Sequence, residues 1–173
     1  FSSFEPSLKP AMANVQKDIQ LVLAGEFISD GLQEDVQQDV GWLRTSHVGF
    51  LNRKEIAGLL SQSLAGLVTL HGKQAYLDSL PVKMFEYMSA GIPVIASDFP
   101  LWRSIVEGSS CGLCVDPQDP AAIAAAIDIL AGDPATARKM GKNGRRAIYN
   151  QYNWSIEEKK LLVLYDELEK ICI

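Results

Sequence analysis

Short apolar runs alternate along the chain with longer stretches in which apolar residues recur at helical spacing. Nearly every position within these runs is apolar, as in parallel strands that helices cover on both faces. The alternation of the two patterns predicts an α/β domain, with an open parallel sheet and helices on both of its faces. The predicted strands are residues 19–24, 48–51, 64–70, 93–96 and 112–115.

Amphipathic stretches between these runs predict the helices. The helix at residues 81–90 has the clearest limits, because Pro81 pre-sets a first turn and Gly91, with Pro93 beyond it, ends the helix. Asp98 is expected to cap the helix that follows it. The remaining predicted helices are residues 7–15, 32–43, 54–62, 101–106, 120–131, 133–149 and 155–171.

Length and composition are those of one ordinary globular domain: 173 residues, of which 47% are hydrophobic and 21% charged. We divide it into a Rossmann-like α/β core at residues 1–132 and a helical tail at residues 133–173. The net charge is −5, and no three basic residues stand together. Nucleic acid is therefore excluded as a main partner, because binding to a phosphate backbone needs a clustered basic face.

The cysteines and the amino-terminal sequence bear on the compartment of the protein. The first ten residues lack the basic start and apolar core of a signal peptide, and three cysteines do not suggest a disulfide framework. A reducing cytoplasm is therefore expected. Cys111 and Cys114 form a Cys-x-x-Cys pair, but a metal site would need a second ligand pair, and their apolar surroundings favour small core side chains. We expect neither a metal nor another cofactor.

The segment DSLPVKMFEYMSAGIPVIA, residues 78–96, carries the most chemistry. Its helix begins at the carboxyl edge of the sheet, where open α/β sheets bind ligands, and the N–H groups of its first turn can bind an anion. The positive charge of Lys83 in that turn is unfavourable beside the positive end of the helix dipole, and a bound anion would offset this cost. Glu86 shares its face and could accept two hydrogen bonds from a ribose diol. A solvated Lys83–Glu86 ion pair, with Asp78 as a loop or capping carboxylate, is the alternative.

The same segment resembles the donor-binding signature of family 4 glycosyltransferases, retaining enzymes with the two-domain GT-B fold. Asp78 and Glu86 occupy the two acidic positions of that signature, and AGIPVIA at residues 90–96 matches its ending. Other segments agree in order and spacing: LVLAG at 21–25, VGFL at 48–51, CGLCVDP at 111–117 and YNW at 152–154. The resemblance covers nearly the whole chain from about residue 7.

By this resemblance the chain is the carboxyl-terminal, nucleotide-sugar-binding half of such an enzyme. Glu86 would hold the ribose hydroxyls, and Asp78 would act catalytically beside the sugar ring, where it could stabilise charge at the anomeric carbon. Phe50 and Leu51 would border the base. The diphosphate would be cradled by the turn from Ser79 to Lys83, which includes Leu80 and Val82.

The whole enzyme would transfer a sugar, with retention, from a nucleotide-diphosphate sugar to a glycan or lipid-linked acceptor, as in polysaccharide biosynthesis. The resemblance places the acceptor site in a further amino-terminal domain outside this chain, and the usual first strand upstream of it. This fragment alone is then expected to be inactive. The location would be the cytoplasm, with peripheral association of the full enzyme on the cytoplasmic face of the membrane left open.

Three departures from the family pattern matter. The first acidic position is Asp78 rather than the usual glutamate, and residues 74–77 replace the usual glycine-and-phenylalanine approach. The basic clamp for the diphosphate has no match, although Lys73, otherwise a solvated loop residue, could partly substitute. Two alternative functions stay open: a sugar-nucleotide epimerase domain, and a non-catalytic nucleotide-binding or interaction module. A nicotinamide dehydrogenase would need Gly-x-Gly-x-x-Gly where only Gly25 stands.

Overall fold

Five parallel strands form two sheets in the computed structural model, which describes residues 7–27 and 29–171. The smaller sheet pairs β1 (Leu21–Leu23) with β2 (Thr45–His47). The larger sheet has the order β3 (Gly66–Val68), β4 (Val94–Ser97) and β5 (Gly112–Val115), so β4 is its central strand. Parallel pairing throughout agrees with the predicted architecture.

Helices join successive strands and follow the last one. Two short helical segments, α2 and a 3-10 helix at Val40–Arg44, lie between β1 and β2. The α-helices of the described residues are α1 (Leu8–Asn14), α2 (Asp30–Gln37), α3 (Arg53–Gln62), α4 (Gln74–Leu77), α5 (Val82–Ala90), α6 (Pro100–Val106), α7 (Pro120–Gly132), α8 (Pro134–Asn150) and α9 (Trp154–Ile171).

Two hydrophobic clusters lie on the two faces of β4. Ile95 points into a cluster with α1 and α7, whereas Val94 and Ala96 point into a cluster with α5, α6 and α8. All three side chains are fully buried, and their alternation is that of a strand covered on both sides. The helices on both faces confirm the predicted fold class, and α8 and α9 supply the predicted helical carboxyl-terminal part.

The second strand lies earlier than the sequence predicts. We expect it at residues 48–51, but the strand is β2, Thr45–His47, and Gly49 follows it with a φ of +67°. That prediction was wrong because β2 pairs only with β1 among the described strands, and such a half-exposed strand can be polar.

Two helical predictions also needed correction. The single helix expected at residues 32–43 is broken after Gln37, since the Asp39 carboxylate accepts from the Gly41 N–H at 2.8 Å and starts the 3-10 helix. Asp98 does not cap α6, whose N-cap residue is Phe99. Its carboxylate instead pairs with Arg103. The four-residue α4 was not predicted, because a single turn shows no apolar periodicity.

The final helix projects from the domain with its apolar residues in solvent. Leu161, Leu164 and Leu168 follow one another at helical spacing along α9 and are 40%, 50% and 48% exposed, while the side chain of Ile171 lies outside the described part of the chain. Within residues 7–27 and 29–171, none of the helices combines the length and apolarity needed to cross a bilayer.

Candidate functional site

The carboxyl edge of the sheets carries the segment that the sequence predicts as a site. All strands run parallel, so the loops that follow β2 and β3 emerge at the same kind of edge. Phe50 and Leu51 follow β2 and lead into α3, and residues 78–81 follow β3 and lead into α5. Contacts between α3 and α5 bring the two connections to neighbouring helices.

The amino terminus of α5 is open. Its N-cap residue is Pro81, which supplies no side-chain hydrogen bond to the first turn. Among the described residues, none accepts a hydrogen bond from the Leu80 or Val82 N–H. Leu80 is 47% exposed and Val82 is 70% exposed. The first turn of α5 therefore offers N–H donors on exposed residues and a positive dipole end, which suit an anion.

Lys83 and Glu86 lie one turn apart on the exposed surface of α5. Partial burial of its ammonium group lowers the pKa of Lys83, and the nearby Glu86 carboxylate opposes that shift. The ion pairs of the described residues do not include one between these two side chains. The Glu86 carboxylate thus acts on Lys83 electrostatically, and both the ribose-and-phosphate interpretation and the solvated Lys83–Glu86 pair stay predictions.

Asp78 is the C-cap residue of α4, immediately before the open turn. Its carboxylate is exposed and accepts from the Gln74 side-chain amide at 3.2 Å. Ser79 is tied inwards: its hydroxyl donates to the Tyr76 carbonyl at 3.3 Å, and its own carbonyl accepts from the Trp102 indole N–H at 2.7 Å. The Asp78 carboxylate is therefore exposed to solvent, while the backbone at Ser79 is hydrogen-bonded to the buried Trp102 side chain.

Lys73 is the N-cap residue of α4, and its ammonium nitrogen lies 6.0 Å from the centroid of the Tyr76 ring. This is the outer limit of a cation–π contact. Lys73 thus places a positive charge on the same segment as Asp78. A substitute for the basic residues that clamp the diphosphate in the family would need such a charge. Lys73 is exposed, however, and none of the contacts described within residues 7–27 and 29–171 draws its ammonium group to the start of α5.

The connections after β1 and β2 form a second part of the edge. Gly25 donates its N–H to the Gly49 carbonyl at 2.7 Å, and the His47 ring nitrogen Nε2 lies 2.6 Å from the Gly25 carbonyl. Phe27 packs on that imidazole, with ring centroids 4.8 Å apart. Beyond them Phe50 is 76% exposed. An exposed aromatic ring beside such a fixed loop can stack on a planar group.

The underside of α5 is packed closely against the core, and this packing sets the direction of its open end. Met84 and Met88 are fully buried, and the Tyr87 ring lies over Gly66, where an added Cβ would come within 2.1 Å of it. Burial, helped by Glu86, raises the pKa of Tyr87 to about 12, so its hydroxyl stays neutral. Phe85 contacts Tyr152 of the predicted YNW segment, with centroids 5.4 Å apart.

Sequence reasoning missed three residues that shape this edge: Phe27, His47 and Trp102. A weak signal was available for Trp102, because a buried indole needs a hydrogen-bond partner. The Cys111 and Cys114 thiols take no part in the edge loops, since they belong to the strand region of β5. Burial raises their pKa to about 11 and about 12, which disfavours the reactive thiolate.

Comparison with known proteins identifies relatives of this chain in sequence and in fold. The sequence pattern of the family described as glycosyl transferases group 1 matches residues 7–147. The phosphatidyl-myo-inositol mannosyltransferase of Mycobacterium leprae is 26% identical over 161 residues, which are 91% of this chain and 40% of that protein. The chain thus spans less than half the length of this curated relative.

Solved structures agree on the fold. Sucrose-phosphate synthase from Thermosynechococcus elongatus superimposes with a TM-score of 0.76 at 28% identity, over 95% of this chain and 42% of that one. Anabaena HepE in complex with UDP superimposes with a TM-score of 0.81 at 17% identity, over 96% and 47%. These superpositions confirm the predicted Rossmann-like α/β architecture of the GT-B type.

Proposed function

The chain belongs to the group 1 glycosyltransferases, and from that membership we propose that it forms the donor-binding half of such an enzyme. The enzyme transfers a sugar, with retention, from a nucleotide-diphosphate sugar to a glycan or lipid-linked acceptor. Support comes from the names of its relatives, a mannosyltransferase and a sucrose-phosphate synthase, and from the UDP complex of a structural neighbour.

One observation carries the proposal: the uncapped first turn of α5, with Lys83 in it and the Glu86 carboxylate one turn further on. A diphosphate placed against the Leu80 and Val82 N–H groups meets the positive end of the helix and the Lys83 ammonium. Glu86 then faces a group one turn away along the helix, at the distance of a ribose. Its exposed carboxylate accepts hydrogen bonds from the two ribose hydroxyls.

Asp78 takes the catalytic position in this arrangement. Its exposed carboxylate precedes the diphosphate turn in the chain, whereas Glu86 follows that turn. The transferred sugar lies beyond the second phosphate, so Asp78 meets the sugar ring rather than the nucleoside. A carboxylate there stabilises the positive charge that develops at the anomeric carbon. Phe50 and Leu51 border the base, and Lys73 lies beside the sugar-facing side.

The remaining parts of the function lie outside these residues. The acceptor binds to a second domain of the whole enzyme, so the donor-binding half holds a donor without turning it over. Backbone N–H groups and Lys83 neutralise the diphosphate, and no metal is needed for that task. The enzyme works in the cytoplasm and takes its nucleotide-sugar donor there. It reaches a lipid-linked acceptor at the membrane surface.

Titration calorimetry with uridine and guanosine diphosphates tests the proposal. Half of a two-domain site should bind the preferred nucleotide with a Kd of roughly 0.1–1 mM. Glu86→Gln should weaken that binding at least tenfold, because a charged hydrogen bond to the ribose is worth about 1.5–3 kcal/mol. Asp78→Asn should leave the plain nucleotide unaffected and weaken binding of its sugar conjugate.

Glu158→Gln on α9 is the matched control, because it makes the same chemical change on an exposed helix away from the site. It should bind both ligands like the wild-type chain. If Glu86→Gln also binds the nucleotide like wild type, the ribose assignment is wrong. Transfer of sugar to any acceptor by this chain alone would refute the division of labour between two domains.

A further inference from the structure

The connection from β3 to α5 has little secondary structure of its own. It holds only the four-residue α4, and Asp78, Leu80 and Val82 on it are exposed. Nevertheless, the proposed diphosphate site depends on the directions of its peptide groups. Contacts from another part of the chain must therefore hold it in place.

Those contacts come from the segment that follows β4. The buried Ser97 hydroxyl donates to the Leu70 carbonyl at 2.6 Å, at the start of the connection. The Phe99 ring lies under Gly72, where an added Cβ would be 3.7 Å from it. At the far end, the Trp102 indole N–H donates to the Ser79 carbonyl at 2.7 Å.

Trp102 is suited to this contact because the core encloses it. Its side chain is fully buried, and it packs against Phe99 with ring centroids 4.8 Å apart and planes tilted by 60°. An indole donates one hydrogen bond and accepts none, and a buried N–H is costly without an acceptor. The Ser79 carbonyl is therefore held pointing inwards, towards the core under α6.

The direction of that carbonyl fixes the direction of the next N–H. The described chain contains no cis peptide bonds, and in a trans peptide the C=O and the following N–H point in opposite directions. With the Ser79 carbonyl turned towards Trp102, the Leu80 N–H is turned away from the core. Consistently, none of the described residues accepts a hydrogen bond from it.

We propose that Trp102 is a positioning residue for the donor diphosphate: its indole N–H turns the Ser79–Leu80 peptide so that the Leu80 N–H faces the phosphate. The proposal rests on the proposed function of the α5 edge. Trp102 touches neither nucleotide nor sugar, and it acts only through the backbone of Ser79. It differs from a residue that merely fills the core, because its effect depends on one hydrogen bond.

An isosteric replacement separates the hydrogen bond from the packing. Replacing Trp102 with 3-benzothienylalanine, in which sulfur takes the place of the N–H, keeps the shape of the ring and removes the donor. Affinity for the preferred nucleoside diphosphate should fall about tenfold, while the melting temperature changes by only a few degrees. The same replacement at Trp42, next to Phe27, should leave the affinity unchanged.

The outcomes distinguish the two proposals. If the unmodified chain binds neither nucleotide, the proposed function fails and this inference fails with it. If the unmodified chain binds and the Trp102 isostere binds equally well, only this inference is overturned. Should the isostere not fold, the indole N–H resonance of Trp102 in the unmodified chain decides: a shift on adding the nucleotide supports the proposal, and an unmoved resonance overturns it.

Discussion

Helices α5 and α8 pack side by side, yet their amino termini differ. The Asp133 carboxylate closes the first turn of α8 by accepting from the Ala135 and Thr136 N–H groups at 3.1 and 3.0 Å. The first turn of α5 starts at Pro81 and has no such side chain. A closed terminus stabilises its own helix. An open terminus leaves donors for a ligand, so the contrast separates a supporting helix from a binding helix.

The close packing between these two helices should matter most for stability. A Cβ at Gly141 of α8 would lie 1.9 Å from the Gly91 carbonyl oxygen at the end of α5. Gly141→Ala must therefore push the helices apart, and we expect a loss of about 3 kcal/mol or more in the free energy of unfolding.

Urea denaturation measures this loss, and Gly58→Ala in α3 is the matched control. Nothing lies within 4 Å of a Cβ at Gly58, so this change in a helix interior should stabilise the chain by about 0.5–1 kcal/mol. Equal effects of the two substitutions would mean that α8 does not support α5 in the way the contact implies.

A negative charge placed at the amino terminus of α5 should weaken its binding without loss of fold. Pro81→Asp and Pro81→Asn each supply a capping oxygen, with a gain of about 1 kcal/mol that is offset by the lost proline rigidity of about 0.4–1 kcal/mol. Only the aspartate adds a negative charge where the diphosphate should lie. Pro81→Asp should therefore bind a nucleoside diphosphate about tenfold more weakly than Pro81→Asn.

Calorimetric titrations of the two variants, with thermal melts alongside, make that comparison. Similar melting temperatures with different affinities would sharpen the contrast between the helices. Similar affinities at low salt would show that the anion does not approach the first turn of α5.

The charge of Lys83 should contribute a smaller, pH-dependent part. Because partial burial lowers the pKa of Lys83, its ammonium group loses its proton at a lower pH than an ordinary lysine. Nucleotide binding should be strongest below that lowered pKa and weaken severalfold as the pH rises through it. Lys83→Arg keeps the charge at every accessible pH and should flatten the profile, and an unchanged profile would exclude Lys83 from the site.

The helix that carries the site was predictable because its signals are local. Pro81 at the start, with Gly91 and Pro93 at the end, gave its limits to within one residue, and Gly91 adopts the expected left-handed conformation with φ +79°. β2 was misplaced because its residues are polar, and an apolar run in the following loop resembled a strand more closely.

The support of the site was not predictable from spacing. The Trp102 indole and the Ser79 carbonyl are 23 residues apart, and no periodic pattern shows that a side chain of α6 reaches the turn before α5. Likewise, the ring contact between Phe27 and His47 joins the ends of two different strands. Such contacts depend on the packing of the whole sheet rather than on any local sequence signal.

Backbone amide shifts measured during a titration test the central claim most directly. With the ¹⁵N-labelled chain and the preferred nucleoside diphosphate, the largest saturable shifts should fall on the Leu80, Val82 and Lys83 amides, at the open end of α5. The Ala135 and Thr136 amides, closed by Asp133, should stay in place. Saturable shifts centred on α8, or none on the first turn of α5, would contradict the account.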